Sequence, residues 1–202
     1  PRCEERCRAD PQCAFFTQFG SLWCSTAASC EEQELTENPS AAVFAARDLP
    51  WAPLPLSRAR QSSEAWGGSA WRAADGKHDP HFMAGSCSHT AGGEADAPLG
   101  PWWVAELEAA ARVVAVRVLS RWDCCHERLD RWEVRIGDDK NPWRNPACGP
   151  TQAASAAGGA RREVRCSGRG SEEGLVGKYV GVVMAGPEPL TLCEVEAFAR
   201  KK

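Results

Sequence analysis

No stretch of this 202-residue chain is apolar for the roughly 18–20 residues that a bilayer-spanning helix needs, which argues against a transmembrane segment. A secretory leader is missing too: the chain opens at Pro1, without Met, straight into a cysteine-rich stretch, and so reads as a fragment or a processed product. Excess positive charge is absent, the formal net charge being −3, so there is no electrostatic footprint for nucleic acid. The basic pairs Arg161-Arg162 and Lys201-Lys202 read as solvated. There is no internal repeat, no Gly-x-Ser-x-Gly elbow and no Walker loop, which removes the commonest sequence grounds for a hydrolase or a nucleotide-binding enzyme. Hydrophobic content of 43% and charged content of 25% are those of a globular protein with room for one sizeable domain and a small one.

Cysteine is what the chain has in quantity. Eleven cysteines imply oxidising surroundings, meaning a secreted protein or the ectodomain of a larger one. The odd total leaves at least one free or paired outside the sequence.

Residues 1–30 hold five of them: Cys3, Cys7, Cys13, Cys24 and Cys30. The four-residue spacing of Cys3 and Cys7 predicts one face of a helix that Asp10-Pro11 ends, and two short strands follow, Ala14 to Phe19 and Leu22 to Cys24, around Gly20-Ser21. Residues 31–57 read as a connector, acidic at first and then extended through Pro50-Trp51-Ala52-Pro53-Leu54-Pro55, with a short helix over Ala41 to Arg47. From residue 58 to about 200 the pattern is of short strands broken by Gly, Pro and Asp. The predicted strands are Trp102 to Leu107, Val113 to Leu119, Trp132 to Ile136, Arg162 to Cys166, Tyr179 to Met184 and Glu194 to Phe198. Short strands without a long amphipathic helix predict an all-β antiparallel sandwich or barrel.

After the apolar run Val113 to Leu119 comes Arg121-Trp122-Asp123-Cys124-Cys125-His126-Glu127-Arg128, the most chemically loaded stretch of the chain. Neighbouring Cα atoms lie about 3.8 Å apart, whereas most disulfides span roughly 4.4–6.8 Å, so adjacent cysteines are a poor choice for ordinary stapling. If Cys124 and Cys125 bond to each other they form a tight ring with a flat sulfur face, flanked by guanidinium groups that only donate. Two such forks converging on one point suit an oxygen-rich ligand, with Asp123 orienting them. The other reading is a surface cluster of ion pairs with each cysteine bonded elsewhere.

In order along the chain, Arg60-Gln61-Ser62-Ser63, Arg72-Ala73-Ala74-Asp75-Gly76, Phe82-Met83-Ala84-Gly85-Ser86-Cys87-Ser88-His89, Pro101-Trp102-Trp103, the octet 121–128, Asn145-Pro146-Ala147-Cys148, Gly177-Lys178-Tyr179-Val180 and Leu192-Cys193-Glu194-Val195-Glu196 resemble the F-type lectin (fucolectin) family. That family is a jelly-roll β-sandwich related to discoidin-type domains. Its sugar-binding pattern is a His followed by Arg-x-Asp-x4-Arg, here His89 with Arg121, Asp123 and Arg128. Thirty-one residues lie between His89 and Arg121, more than the family's usual spacing, and the excess falls in residues 92–100, which read as an enlarged loop. Such a loop leaves His89 free to reach the site, and it also has the means to reshape or block the rim.

The resemblance implies non-catalytic recognition of terminal L-fucose on glycans and glycoproteins. His89, Arg121 and Arg128 would hydrogen-bond the sugar, the Cys124–Cys125 ring would pack on its carbon face, and Phe82 would line a pocket for the methyl group. It also implies the bridges Cys87–Cys193 and Cys148–Cys166, and a structural Ca2+ held by Arg72, Asp75, Lys77, Ser86, Cys193 and Glu194, with Arg72 and Lys77 offering backbone carbonyls only. Binding of one monosaccharide is expected to be weak, about −4 to −6 kcal/mol, so that several sites, as in a homo-oligomer, become useful. The spacing Cys-x3-Cys-x5-Cys-Ala-Phe in residues 1–30 resembles part of a PAN/apple module, a small disulfide-rich α+β unit; that likeness implies Cys3–Cys24 and Cys7–Cys13 bridges and leaves Cys30 with a partner upstream.

Three rivals stand beside this reading. His78, His81, Cys87, His89, Cys124, Cys125 and His126 contain enough soft ligands for zinc, without a paired Cys-x2-Cys framework. An enzyme would need a nearly neutral acid, whereas Asp123 sits between arginines that hold it ionised. A discoidin-like module that contacts protein through a degenerate sugar site draws support from the enlarged loop and from tryptophans such as Trp143, expected to be exposed.

Overall fold

The computed structural model describes residues 15–19, 23–27, 41–45, 51–155, 157–166 and 174–201. The chain divides into two compact units, Pro1–Pro50 and Trp51–Lys202. In the first, β1 (Phe15–Phe19), β2 (Trp23–Ala27) and β3 (Ala41–Ala45) form an antiparallel sheet in the order β2-β1-β3, Phe15 lying opposite both Ala27 and Ala45. The short helix expected over Ala41 to Arg47 is thus a strand in its first five residues. Val43 and Phe44 favour extended backbone, and the edge of β1 satisfies the strand's amides, which outweighs the helix preference of three alanines. The helix expected at Cys3–Cys7 and the bridges expected of Cys3, Cys7, Cys13 and Cys24 lie outside the described residues.

The second unit is an all-β sandwich. One sheet takes the order β10-β8-β13-β4, from β4 (Trp51–Leu54), β8 (Ala115–Leu119), β10 (Arg161–Arg165) and β13 (Glu194–Arg200). The other takes the order β5-β7-β11-β9, from β5 (Leu56–Gln61), β7 (Trp102–Val113), β9 (Trp132–Gly137) and β11 (Leu175–Met184). A two-stranded ladder of β6 (Ser88–His89) and β12 (Thr191–Leu192) closes one end. Every pairing is antiparallel. Residues expected as connector therefore supply β3, β4 and the start of β5.

Alternate residues of each strand face the core. Val116 and Val118, Val134 and Ile136, Val180 and Val182, and Val195 and Ala197 meet there with Trp103 and Trp132. Trp103 is fully buried and its indole N–H donates to the Ala70 carbonyl at 2.8 Å, so its one polar atom is met. Replacing it by alanine would cost about 3–5 kcal/mol. The Cys148–Cys166 disulfide, eighteen residues apart, closes the β9–β10 side of the sandwich.

Strand β7 runs six residues past its predicted end, through Glu108-Ala109-Ala110-Ala111-Arg112. These residues have little strand preference of their own. Pairing of Leu175–Gly177 of β11 with Val113, Arg112 and Ala111 anchors the far end of the extension, and Glu108–Ala110 fall in the register shift between Gly177 and Tyr179. Among the described residues no helix is long and apolar enough to cross a membrane.

Candidate functional site

The ladder of β6 and β12 brings the predicted site residues together. Thr191 pairs with His89 and Leu192 with Ser88, and one residue outward on each strand Cys87 bonds Cys193 across 106 residues of sequence. His89 is held from a second side by the turn 65–68: its N–H donates to Gly68 O (2.8 Å), its carbonyl accepts Ala65 N–H (3.0 Å), and Gln61 Nε2 donates to both carbonyls. A Cβ at Gly68 would lie 2.6 Å from the His89 backbone nitrogen, so only glycine permits this approach.

The His89 ring is buried and its Nδ1 lies 2.6 Å from Thr90 O. A carbonyl only accepts, so Nδ1 carries the proton. Burial, and then the charges of Arg121 and Arg128, push the imidazole below its ordinary value of 6.5 against the pull of the Thr90 carbonyl. His89 is therefore neutral at pH 7 and presents the Nε2 lone pair as an acceptor.

Strand β8 delivers the other half of the site. Beyond Leu119, the Trp122 N–H donates to Pro80 O (2.9 Å) and Gly159 N–H to Arg121 O (3.1 Å), which fixes the chain as it leaves the sheet. Arg121 then grips Asp123 with two parallel bonds, Nε to Oδ1 at 2.6 Å and Nη2 to Oδ2 at 2.7 Å. That hydrogen-bonded guanidinium, helped by Phe82 N–H at 3.2 Å, holds the Asp123 carboxyl down at about 2 despite its partial burial.

Phe82 stands between the two halves. It is 9% exposed and packs on Cys87, Leu119 and Cys193. Its ring lies 4.5 Å beneath the Arg121 guanidinium and meets His89 edge-on at 5.5 Å. The sequence reading made Phe82 a pocket wall; the structure makes it chiefly the post on which His89 and Arg121 rest.

Cys124 and Cys125 are bonded to each other, with Cα atoms 3.7 Å apart, and Cys125 adopts a left-handed φ of 61°. That conformation turns the chain into the short 3-10 helix His126–Arg128, where Arg128 N–H donates back to Cys125 O (3.2 Å). Arg128 is partly exposed and sits 3.6 Å from Glu188. Glu188, in the Gly-Pro-Glu-Pro segment 186–189, had no motif to mark it.

Of the residues named for calcium, Asp75 and Glu194 lie near enough to interact electrostatically, while among the described residues no three His, Cys, Asp or Glu side chains cluster in a way that could hold a metal ion. In the turn after the 3-10 helix Ala70–Ala74, Asp75 Oδ1 accepts the Lys77 N–H (2.9 Å). Ser86 is buried and donates to Asp79 O. Glu194 is 4% exposed, and its Oε2 is buried without a hydrogen-bond partner. Burial, with Glu196 and Asp75 nearby, pushes its carboxyl up to about 9, although a Gly76 N–H favours the ionised form. A buried orphan oxygen facing like charge is a place that a hard cation fits, with backbone carbonyls completing the shell.

The soft ligands considered for zinc are largely spoken for, since Cys87, Cys124 and Cys125 are in disulfides. Trp143 is half-buried rather than exposed; among the described residues the exposed tryptophans are Trp66, Trp71 and Trp122.

A family model described as a NedA-like, galactose-binding domain matches residues 72–172. Fucolectin-4 of Anguilla japonica is 34% identical over 149 residues, covering 70% of this chain and 76% of its own. The crystal structure of an F-lectin (fucolectin) from the serum of Morone saxatilis, the striped bass, superposes with a TM-score of 0.62 at 31% identity, covering 73% of this chain and 49% of that one. The lectin domain of Lectinolysin, solved in complex with Lewis B antigen, gives 0.56 at 28% identity over 72% of this chain and 93% of its own. With its sandwich, its bridges and the clamped pair Arg121–Asp123 beside His89, the chain belongs to the fucolectin family of F-type lectins.

Proposed function

We propose that this lectin domain recognises terminal L-fucose on glycans, without catalysis, in an extracellular setting. What supports this is the packing of Arg121 and His89 on the Phe82 ring, with the charge of Arg128 also acting on His89 and the Cys124–Cys125 bridge lying between the two arginines in the chain. It offers one fixed acceptor, two charged donors and an apolar sulfur face, the chemistry of a sugar with an axial hydroxyl, an equatorial neighbour and a carbon face. Arg121 arrives oriented, because Asp123 occupies one edge of its fork and leaves the other to the ligand. His89 accepts from a hydroxyl through Nε2; Arg121 and Arg128 donate. The edge of Phe82 left open is suited to the methyl group.

Calcium, in the same reading, is held by Asp75 and Glu194 carboxylates with oxygens of Arg72, Lys77, Ser86 and Cys193. It would neutralise the buried Glu194 and tie the 72–77 turn to β13. Its role is structural, and no binding step is routed through it.

Arg128→Ala tests the site assignment. The variant is expected to fold with an unchanged circular dichroism spectrum and to lose measurable L-fucose binding. Binding retained at the level of the unaltered protein sinks the assignment.

A further inference from the structure

The disulfides Cys87–Cys193, Cys148–Cys166 and Cys124–Cys125 differ in access. Cys87, Cys193 and Cys148 are fully buried and Cys166 is 1% exposed, so a reductant reaches those two bridges only when the sandwich opens. Cys124 and Cys125 are both half-buried, on the turn that leaves β8. The bridges differ as well in what they tie. The two core bridges join residues 106 and 18 apart in sequence, whereas Cys124–Cys125 joins neighbours and closes no loop. Breaking it gives the unfolded chain no new long-range freedom and leaves the sandwich standing.

The ring formed by that bond contains the peptide between the two cysteines, so φ of Cys125 is one of the ring's own torsions. It stands at 61°, a left-handed value that residues other than glycine avoid. Arg128 hangs from that torsion. Cys125 caps the 3-10 helix His126–Arg128, and Arg128 N–H donates to Cys125 O (3.2 Å). On either side the chain is pinned. Upstream stand the Trp122 N–H bond to Pro80 O and the Arg121–Asp123 clamp; downstream stand the buried Leu129 and Asp130, whose Oδ1 accepts Ala154 N–H at 2.8 Å. An opened ring frees Cys125 to take up negative φ, and residues 124–128 absorb the change. The Arg128–Glu188 pair, 3.6 Å apart with both side chains about half exposed, is too weak to hold that arc alone. His89 and Arg121 rest on Phe82, outside the arc, and keep their places.

We infer that the Cys124–Cys125 bond is a thiol-exchange site, opened by an external dithiol while the core bridges stay closed, and that its opening releases Arg128 and weakens the sugar site. The consequence for binding rests on the fucose reading; the selective opening does not. The step balances with the dithiol as the reductant. One of its thiolates attacks one sulfur of the pair, forming a mixed disulfide and releasing the other cysteine as thiolate; its second thiolate then displaces the remaining cysteine. Two electrons pass to the pair, the two protons of the dithiol end on Cys124 and Cys125, and the reductant leaves as its own disulfide.

The test treats the full chain with dithiothreitol at low concentration, without denaturant, and reads the order of opening by alkylation and peptide mass spectrometry. L-Fucose is titrated calorimetrically before reduction, after it and after reoxidation, with the double variant Cys124→Ser, Cys125→Ser alongside. Cys124 and Cys125 are expected to be labelled at least about tenfold faster than Cys87, Cys148, Cys166 and Cys193. Fucose affinity is expected to fall about fivefold and to recover on reoxidation, and in the variant to stay the same throughout. Core cysteines labelled as fast as the pair overturn the exchange site. A pair that opens without loss of affinity overturns its control of binding, as does a loss that the variant shares. A folded, oxidised protein that ignores fucose overturns the fucose reading and the control of binding with it, while the labelling order still decides the exchange site.

Discussion

Arg121 holds both carboxylate oxygens of Asp123, two residues further along the chain, at 2.6 and 2.7 Å. The pair is local in sequence, yet its geometry is set from a distance: Phe82, forty-one residues earlier, lies under the guanidinium and donates its N–H to the carboxylate. What the ligand would meet is a donor whose direction is fixed before binding.

Neutralising that anchor should weaken the sugar without unfolding the domain. Asp123→Asn is expected to lower L-fucose affinity about tenfold, measured by calorimetry, with a thermal midpoint close to that of the unaltered protein. The sign of its pH dependence follows from a carboxyl depressed from 3.8 to about 2. Its stabilising contribution is complete above about pH 4 and lost as pH falls through 2, so Asp123 contributes no slope between pH 5 and 8.

His89 is the sugar-site group that contributes a slope at the acid end of that interval. Its folded-state value lies below 6.5, so stability and acceptor function are whole above that pH. Below it the unfolded chain takes up the proton more readily and stability declines, until the folded imidazole also protonates and Nε2 ceases to accept. L-Fucose affinity is expected to be flat from pH 8 to 7 and to fall on acidification, with His89→Gln abolishing the trend. A decline that persists unchanged in His89→Gln would rule out His89 as its source.

Removing calcium should loosen the turn 72–77 and the start of β13. Chelation is expected to lower the melting temperature by at least about 5 °C, which for a chain of this size is on the order of 2 kcal/mol. Glu194→Gln should remove most of that calcium response while melting no lower than the chelated parent, because without the metal the Glu194 carboxyl, pushed up to about 9, is already neutral at pH 7 and glutamine matches it in shape. Scanning calorimetry with and without chelator decides it.

The two sulfur bridges near the site should separate in their effects. Cys124→Ser with Cys125→Ser is expected to weaken fucose binding severalfold and leave the fold intact, since that bridge closes no loop. Cys87→Ala with Cys193→Ala removes a buried bridge spanning 106 residues and should cost about 4–5 kcal/mol, read from denaturant unfolding.

The strand pattern and the octet 121–128 were legible because both are written in local chemistry: alternation for the sheets, and charge beside adjacent cysteines for the site. The extension of β7 to Val113 was not, since its far end, Ala111–Val113, is held by Leu175–Gly177 of β11 from more than sixty residues away. Trp51–Leu54 hid behind two prolines, which the edge position of β4 tolerates. At the site, His89, Arg121 and Arg128 could be named from the family resemblance, but the tautomer of His89 depends on where Thr90 turns its carbonyl, and Glu188 depends on a loop that no motif marks. The enlarged loop showed its presence in the sequence, but its contacts with segment 184–189 only in the structure.

The most direct test is calorimetric titration of the full chain with L-fucose in calcium, set against D-galactose and an Arg121→Ala control. The account predicts binding of L-fucose in the millimolar to tens-of-micromolar range, much weaker binding of D-galactose, and none in the variant. A folded protein that binds neither sugar, or that binds fucose equally well without Arg121, would contradict it.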